Sequence, residues 1–302
     1  MTMQEMTVLD RMTDDTELLN DPTALRSAAS DNGYLHFKQL VPESALIEVR
    51  RDICALLAKY SWLDLSSDPI DAIVHPDFDR HSDFLTHPQY DAYYKEILST
   101  RSFHQLALHD DIMSMFQTLF GETVLAHSRN ILRTIMPGDA KFTTPPHQDY
   151  LHSQGSANTW TLWMPLGDCL EELGGLAVAP GSHKNGMMKH IGAYGAGGAG
   201  IEMDADQAWV GNEMMAGDVI LLHSQAVHQG RNNTTPDRIR LSCDYRYQPL
   251  SEPVVAASLE PHVSYYSWDE LYSDWDDADP LKYYWKSLDT KFVEFYDMHP
   301  DA

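Results

Sequence analysis

Short β-rich segments separated by turn residues fill the stretch from about residue 122 to 249, and this pattern limits the fold more than any other feature. The segments are TVLAHSRNILRTIM, NTWTLWMPL, GGLAVAP, DVILLH and IRLSCDYRYQ, with Gly, Pro, Asn and Asp between them. Many short strands joined by turns are typical of a sandwich or a jelly roll, whereas a parallel sheet needs crossover helices. The sequence therefore predicts a mainly β fold, either a sandwich or a jelly-roll barrel.

Helical patterns precede this β-rich core. A helix is predicted from Pro22, after a capping Asp21, to a stop at Gly33. The strand LHFKQLV and helices in PESALIEVRRDICALLAKY and DDIMSMFQTLFG follow. We expect a single domain over residues 1–302, with flanking helices at about 20–120, the core at about 120–250 and an acidic, aromatic tail at 251–302. The tail is expected to pack across the barrel or to form an oligomer contact.

The charge of the chain limits its partners. Twenty-one Lys and Arg oppose 45 Asp and Glu, which gives a net charge of -24. A field of that sign repels phosphate backbones, so no nucleic acid and no anionic membrane is expected as a partner. The sequence shows neither a secretory signal nor a membrane span, and its three cysteines are far apart and odd in number. We expect a cytoplasmic protein with reduced thiols.

Two motifs bring metal-ligand residue types together. In PPHQDY, His147 and Asp149 lie two residues apart, so on an extended segment both side chains project from one face. GDVILLHSQAVHQGRNN places His223 at the end of a predicted strand and His228 after the following turn. Iron(II) oxygenases use two histidines and one carboxylate on one face of the ion. We predict His147, Asp149 and His228 as ligands, with His223 as the alternative third one.

A third motif, DRIRLSCDYRYQP, places several polar side chains on one face of a predicted strand. These are Arg238, Arg240, Ser242, Asp244 and Arg246. An inward guanidinium suits the distal carboxylate of a dicarboxylic cosubstrate, because it is always charged and binds carboxylates bidentately. The pair Arg240 and Ser242 could both donate to such a carboxylate. A surface ion pair with Asp237 or Asp244 is the simpler alternative for any one of these arginines.

Together the motifs resemble the phytanoyl-CoA dioxygenase family of iron(II)/2-oxoglutarate oxygenases. The resemblance rests on PPHQD, WTLWMPLGDCLEELGGLAVAPGSHKNG and GDVILLHSQAVHQGRNN–RIRLS in this order, and on DNGYLHFKQLVPESALIEVRRDI near the start. It implies a double-stranded β-helix (jelly-roll, cupin-like) core with flanking helices. It also implies Fe(II) with 2-oxoglutarate and O2 as cosubstrates.

Carried over position by position, the resemblance implies His147, Asp149 and His228 as metal ligands, with no further catalytic residue. It implies Trp163 in the cosubstrate pocket, and either Arg240 or Arg238 as the cosubstrate arginine. The spacing from Asn232 selects Arg238, whereas the Arg-x-Ser pattern with Ser242 selects Arg240, which we prefer. The carboxylate of Asp149 favours hydroxylation or another oxidative outcome over halogenation, because related halogenases carry a small residue there.

The implied activity is oxidation of an unactivated C–H bond of a small-molecule substrate, with release of succinate and CO2. The alternatives are a non-catalytic cupin-like binding protein and a zinc-type hydrolase or isomerase on the same triad. The substrate and the oligomeric state do not follow from the sequence. An anionic substrate would need local arginines, for which Arg129, Arg133 and Arg246 are candidates. The glycine-rich loop at 192–200 is either a lid or a surface connector.

Overall fold

The structure is a computed structural model that describes residues 10–79, 83–138, 143–193 and 195–296. Its α-helices are α1 (Pro22–Asn32), α2 (Glu43–Lys59), α3 (Tyr90–Leu98), α4 (Arg101–Ala107), α5 (Asp110–Phe120), α6 (Tyr150–Ser153) and α7 (Trp268–Leu271). Short 3-10 helices lie at Thr16–Asn20, Pro69–Asp71, Phe84–Thr86, Glu171–Leu173, Ser182–Asn185, Ala256–Leu259 and Tyr284–Ser287. None of the described helices combines the length and the apolarity that crossing a membrane requires.

The strands occupy the β-rich stretch and its edges. They are β1 (Tyr34–Phe37), β2 (Val124–Ala126), β3 (Ile131–Ile135), β4 (Trp160–Pro165), β5 (Leu176–Val178), β6 (Ile191–Gly192), β7 (Ala199–Gly200), β8 (Val219–His223), β9 (His228–Gly230), β10 (Arg240–Pro249), β11 (Val254–Val255) and β12 (Phe292–Val293). The predicted β segments thus become strands at the expected places, and the predicted helices become α1, α2 and α5. The glycine-rich loop forms the β6–β7 hairpin, and Tyr194 within it lies outside the described residues.

Strand β10 pairs with three strands of the main antiparallel sheet, β4 on one side and β2 and β3 on the other. The strand order is β1-β8-β4-β10-β2, and β3 also pairs with β10. A smaller antiparallel sheet pairs β5 with β9. An isolated bridge between His147 and His228 joins the segment before α6 to β9. This bridge brings two distant parts of the chain to one place.

The alternating sequence of β10 gives its two faces different environments. Leu241, Cys243, Tyr245 and Tyr247 point into the main hydrophobic core. Successive side chains of a strand point to opposite faces, so Arg240, Ser242, Asp244 and Arg246 share the other face. All four of these polar residues are buried. Burial of so many polar side chains on one strand face marks the interior of a site rather than a solvated surface.

The helices begin and end as their sequences predict. Asp21 caps α1 by accepting from the backbone N–H groups of Thr23 and Ala24, and Gly33 ends it with φ +72°. Helix α2 buries Leu46, Val49, Ile53 and Leu57, and burial of such a side chain stabilises the fold by about 1.5–3 kcal/mol. The polar stretch at 65–100, for which the sequence predicted no element, contains α3, which buries two tyrosines, Tyr93 and Tyr94, and two aliphatic residues, Ile97 and Leu98.

The aromatic tail packs against the helices. The Trp268 ring lies 5.0 Å from Tyr272 and 5.7 Å from His104 of α4, and the Trp275 indole donates to Ser99 O at 2.8 Å. The tail was predicted to pack across the barrel or to form an oligomer contact. In the structure its aromatic side chains pack on α4 and on the end of α3, and the Tyr284 hydroxyl also donates to Ala126 O of β2. An oligomer contact stays a prediction.

The end of the described chain is tied to the turn after α6. Strand β12 pairs in parallel with β11. The Gln154 side chain donates to Tyr296 O at 2.6 Å and accepts from Tyr296 N at 2.9 Å, as a neighbouring strand would. Because α6 begins directly after Asp149, the tail supports the segment that carries a predicted ligand.

Candidate metal centre

Two histidines meet where the segment before α6 crosses β9. The backbone N–H of His147 donates to His228 O at 3.0 Å, and His228 N–H donates back to His147 O at 3.1 Å. Their rings lie 4.2 Å apart. Asp149 follows two residues later. The sequence predicted an extended segment through both His147 and Asp149, and this was wrong at Asp149, which has helical φ and ψ and precedes α6.

The three side chains converge in spite of that turn. His147 Nε2 lies 3.8 Å from Asp149 Oδ1, and His228 Nε2 lies 4.0 Å from Asp149 Oδ2. One ligand atom from each residue falls within 4.8 Å of the others, and all three residues are buried. Gln148, between the two ligands in sequence, points elsewhere and donates to Gly186 O and Gln225 O.

Backbone carbonyls orient both imidazoles. His147 Nδ1 lies 2.9 Å from Pro145 O, and His228 Nδ1 lies 3.0 Å from Ala226 O. A carbonyl only accepts, so each Nδ1 carries the proton and each Nε2 presents its lone pair to the centre. Burial, followed by the neighbouring His228, holds the pKa of His147 well below its usual range. The neutral imidazole that a metal ion requires is therefore the form of His147 that is present at neutral pH.

Two partners hold the Asp149 carboxylate. Arg246 Nη2 donates to Oδ1 at 3.0 Å and Thr161 Oγ1 donates to Oδ2 at 2.5 Å. Burial alone would raise the pKa of Asp149, but Arg246, the two histidines and Thr161 outweigh it and hold the pKa well below its usual range. Two imidazole nitrogens and one ionised carboxylate on one side of a cavity fit the donor set of a facial-triad iron site.

His223 lies apart from this cluster. It ends β8, and its ring lies 5.3 Å from Trp160 and 5.2 Å from His183. Burial lowers the pKa of His223 to about 4. Among the described residues, His147, Asp149 and His228 form the group that could hold a metal ion. The structure thus groups the preferred third histidine, and not the alternative, with the other two.

Arg240 lines the same cavity as the three ligand residues, together with Trp163. Its Nη1 donates to Gly174 O, to Arg231 O at 3.1 Å and to Gly175 O at 3.4 Å. Its buried Nε has no hydrogen-bond partner, and neither has the buried Oγ of Ser242 on the same strand face. Buried donors without partners are rare in native proteins, because each costs about 1–3 kcal/mol. These two atoms suit the oxygens of a bound carboxylate.

Glycine is required beside Arg240. Gly174 has φ +67°, and a Cβ there would overlap the carbonyl oxygens of Arg231 and Asn232. Only a residue without a side chain lets the loop before β5 approach this closely. The approach places Gly174 O and Arg231 O around the guanidinium, which fixes its position.

Arg238 lies elsewhere. It is exposed, two residues before β10 begins, and forms an isolated bridge with Ile73. The sequence pattern predicts that Arg238 and Arg240 share one strand face, but it does not indicate where the strand starts, and β10 starts at Arg240. It also named Arg246 without its pairing to Asp149, and it did not single out Thr161. The hydroxyl of Thr161 reaches Asp149 only because β4 passes beside α6.

The family comparison agrees with this geometry. The sequence model of the family described as phytanoyl-CoA dioxygenase (PhyH) matches residues 29–242. The chain is 28% identical over 263 residues to 1-deoxypentalenic acid 11-beta-hydroxylase from Streptomyces arenae, covering 79% of this chain and 85% of that protein. It is 25% identical over 252 residues to the enzyme of the same name from Streptomyces exfoliatus, with the same coverage.

Solved structures share the fold. One is the α-ketoglutarate-dependent epimerase SnoN from nogalamycin biosynthesis, solved in complex with Fe3+, α-ketoglutarate and nogalamycin RO. It matches with a TM-score of 0.54 at 22% identity, and the match covers 78% of this chain and 88% of that chain. EctD from S. alaskensis, with 2-oxoglutarate and 5-hydroxyectoine, matches with a TM-score of 0.50 at 18% identity, over 83% of both chains. The predicted cupin-like jelly roll with flanking helices is confirmed.

The family match covers more than two thirds of the chain. The chain therefore belongs to the phytanoyl-CoA dioxygenase family. It is a 2-oxoglutarate-dependent non-haem iron oxygenase, and the prediction of Fe(II), 2-oxoglutarate and O2 is confirmed at the level of this family.

Proposed function

We propose that the chain is a dioxygenase that uses His147, Asp149 and His228 to hold iron(II) and hydroxylates an unactivated C–H bond of a small organic molecule. The observation that carries this proposal is the single cavity lined by all three ligand residues and by Arg240. A dicarboxylate bound to iron needs a metal site at one end and a positively charged donor at the other. The triad offers the first, and Arg240, whose buried Nε has no hydrogen-bond partner, offers the second. The relatives named as hydroxylases of 1-deoxypentalenic acid support a small organic substrate.

The residues of the chain would hold, orient and shield the reactants. Bound iron with 2-oxoglutarate and O2 supplies the oxidation of the C–H bond, with release of succinate and CO2. Arg240 and Ser242 would bind the distal carboxylate of 2-oxoglutarate through Nε and Oγ. Trp163, Leu176 and Leu222 line the cavity and would exclude water. Asp149 occupies the carboxylate position, so hydroxylation is proposed rather than halogenation.

The two alternatives account less well for the interior. A zinc-type hydrolase or isomerase could use the same triad, but it has no need of a buried arginine and serine with unused donors. A non-catalytic binding protein would not need a buried guanidinium and a buried hydroxyl without partners beside the three ligand residues. The observations favour the oxygenase on both counts.

The cellular setting extends the proposal. Cys54, Cys169 and Cys243 are free and buried, which supports a reducing compartment, and we place the protein in the cytoplasm. The net charge of -24 supports a small molecule, and not nucleic acid or a membrane, as the partner.

The test is oxygen-dependent succinate release from 2-oxoglutarate by the purified iron(II) protein. His147→Ala, Asp149→Ala and His228→Ala are each expected to abolish it. His223→Ala is the control, since it removes a partly buried histidine outside the triad, and it is expected to retain succinate release. Release that persists in the triad variants would refute the site. An activity retained without oxygen or 2-oxoglutarate would support the zinc alternative.

A further inference from the structure

Arg133 is a second arginine in the cavity that holds the three ligand residues and Arg240. It lies on β3 opposite Ser242 of β10, and its Nε donates to Asp244 Oδ2 at 2.8 Å. Within the described parts of the chain Arg133 forms no other hydrogen bond, and its side chain is 26% accessible. Its two Nη groups are therefore available to a ligand in the cavity.

The polar face of β10 gives this cavity a direction. Along the strand its buried side chains are, in order, Arg240, Ser242, Asp244 and Arg246. Arg246 donates to Asp149, so the triad lies at that end of the face and Arg240 lies at the other. Two residues along a strand rise by about 6.6 Å. Because Arg133 binds Asp244, its guanidinium lies on the triad side of Arg240.

The electrostatic effects of the two arginines agree with this order. Burial alone would lower the pKa of Arg133, but Asp244 and, less strongly, Asp149 of the triad raise it. Burial lowers the pKa of His147 most, and Arg133 is among the groups that lower it further. Burial also lowers the pKa of Arg240, but neither Asp149 nor His147 is among the charges that act on it. Arg133 is therefore the nearer of the two arginines to the triad.

We propose that the Nη groups of Arg133 bind the C1 carboxylate of 2-oxoglutarate, the one at the metal, and that Asp244 positions Arg133 for this contact. This inference rests on the proposed function and adds a binding residue to it. The cosubstrate is then held at both ends, by Arg133 beside the triad and by Arg240 with Ser242 at the far end. A five-carbon dicarboxylate is comparable in length with the two-residue step between these levels of β10.

The contact with Asp244 suits this role better than that of a structural ion pair alone. Arginine and carboxylate frequently pair through two parallel N–H groups, whereas Asp244 engages Arg133 through Nε. This leaves the Nη groups without a protein partner in a largely enclosed site, where unused donors are costly. The Nε contact also fixes the plane of the guanidinium. A donor that is already oriented loses less side-chain entropy when its ligand binds.

The test compares 2-oxoglutarate with two ligands that each lack one of its carboxylates. 2-Oxopentanoate keeps the C1 carboxylate and the keto group but carries a methyl group in place of the distal carboxylate. 4-Oxopentanoate keeps the distal carboxylate but carries a methyl group in place of the C1 carboxylate. Both are titrated in competition with 2-oxoglutarate, at constant ionic strength, into the full chain loaded with zinc(II), in which no turnover occurs.

Arg133→Gln is combined with Asp244→Asn, so that no buried carboxylate is left without a partner. This double variant is expected to bind 2-oxoglutarate and 2-oxopentanoate about tenfold or more weakly, because a charge-assisted contact is lost. Its binding of 4-oxopentanoate should stay the same. Arg240→Gln should show the reverse pattern, with loss of 4-oxopentanoate and not of 2-oxopentanoate. Arg51→Gln, exposed on α2, is the charge-matched control and should change neither.

Arg133→Lys provides the test if the double variant does not fold. It keeps a positive charge beside Asp244 but has no planar fork of donors. It should therefore bind 2-oxopentanoate several-fold more weakly and 4-oxopentanoate as the parent does. The zinc content of each variant is measured as well. It should equal that of the parent, because Arg133 is proposed to contact the cosubstrate and not the metal.

The outcomes separate this inference from the proposed function. Unchanged binding of 2-oxopentanoate in the Arg133 variants overturns the inference, and so does an equal loss of both shortened ligands, since the effect is then not confined to one carboxylate. A parent protein that does not bind 2-oxopentanoate overturns it too. If the parent does not bind 2-oxoglutarate, the proposed function fails. If Arg240→Gln loses 2-oxoglutarate and the Arg133 variants keep it, only the inference fails.

Discussion

Arg246 on β10 donates through Nη2 to Oδ1 of Asp149 across 3.0 Å, and both side chains are buried. The two residues are 97 positions apart in sequence. This ion pair keeps the predicted carboxylate ligand charged and oriented in the protein without metal. Arg246 lies on the same face of β10 as Arg240 and Ser242.

Arg246→Met is expected to destabilise the metal-free protein by about 3–5 kcal/mol at pH 7, because it leaves a buried carboxylate without its partner. The pKa of Asp149 is depressed in the folded state below its ordinary value of 3.8. The pair therefore contributes fully above pH 3.8, and its contribution is lost as the pH falls through the lower folded pKa. The difference between parent and variant should shrink as the pH is lowered toward and below 3.8. Urea unfolding across this pH range measures it.

The control for that prediction is a partly exposed ion pair. Lys59 and Glu96 lie 2.6 Å apart, with side chains 59% and 33% accessible to solvent. Lys59→Met is expected to cost at most about 1 kcal/mol, because solvent screens such pairs. An Arg246→Met variant as stable as Lys59→Met would contradict a structural role for the buried pair.

Arg240→Gln is expected to weaken 2-oxoglutarate binding by at least about a hundredfold, because a charge-assisted contact of roughly 3 kcal/mol is lost in a buried site. Arg238→Gln, two residues earlier and exposed, is expected to leave binding unchanged. Titration of 2-oxoglutarate into the zinc(II) protein gives both values. A larger loss in Arg238→Gln would assign the cosubstrate to Arg238 instead, and equal losses would contradict the assignment to Arg240 alone.

Ser242→Ala separates ligand binding from stability. The buried hydroxyl of Ser242 has no partner, so its removal should leave the free energy of unfolding unchanged or raise it by up to about 1 kcal/mol. The same variant should bind 2-oxoglutarate several-fold more weakly. Ser102→Ala is the contrasting control, because Ser102 Oγ donates to Asp52 at 2.5 Å. It should lose stability and keep 2-oxoglutarate binding, and the opposite pattern in the two variants would refute the assignment.

Gln154→Ala tests the connection between the tail and α6. Loss of both hydrogen bonds to Tyr296 is expected to destabilise the protein by about 1–2 kcal/mol. Hydrogen exchange at the Tyr296 amide should accelerate, while exchange in β10 stays slow. If the Tyr296 amide exchanges at the same rate in both proteins, the two hydrogen bonds do not hold the tail in solution.

The sequence carried enough information for the local elements and for the face of β10. Asp21, Pro22 and Gly33 specify α1 through local chemistry, and the alternation from Arg240 onward separates polar from apolar faces without any tertiary knowledge. The choice between Arg238 and Arg240 was open because both have the same parity, and parity does not show where a strand begins. The turn at Asp149 was missed because the HxD pattern is equally compatible with a strand end.

The remaining features depend on contacts between distant segments. Thr161 reaches Asp149 because β4 passes next to α6, and no pattern near residue 161 signals this. Arg133 was named only as one of three candidate arginines for an anionic substrate, and nothing in the sequence indicated its ion pair with Asp244. That pair forms because β3 lies next to β10 in the sheet.

The guanidiniums enclosed beside the metal ligands affect how fast a ligand arrives as well as how tightly it binds. A 2-oxoglutarate dianion must cross the repulsive field of a chain with a net charge of -24 before it reaches Arg240. Salt screens that field over about 10 Å at 0.1 M ionic strength, but it screens the buried pairs much less. Entry of the cosubstrate should therefore become faster as salt is added while its departure changes little, the reverse of the usual behaviour of an anion binding to arginine.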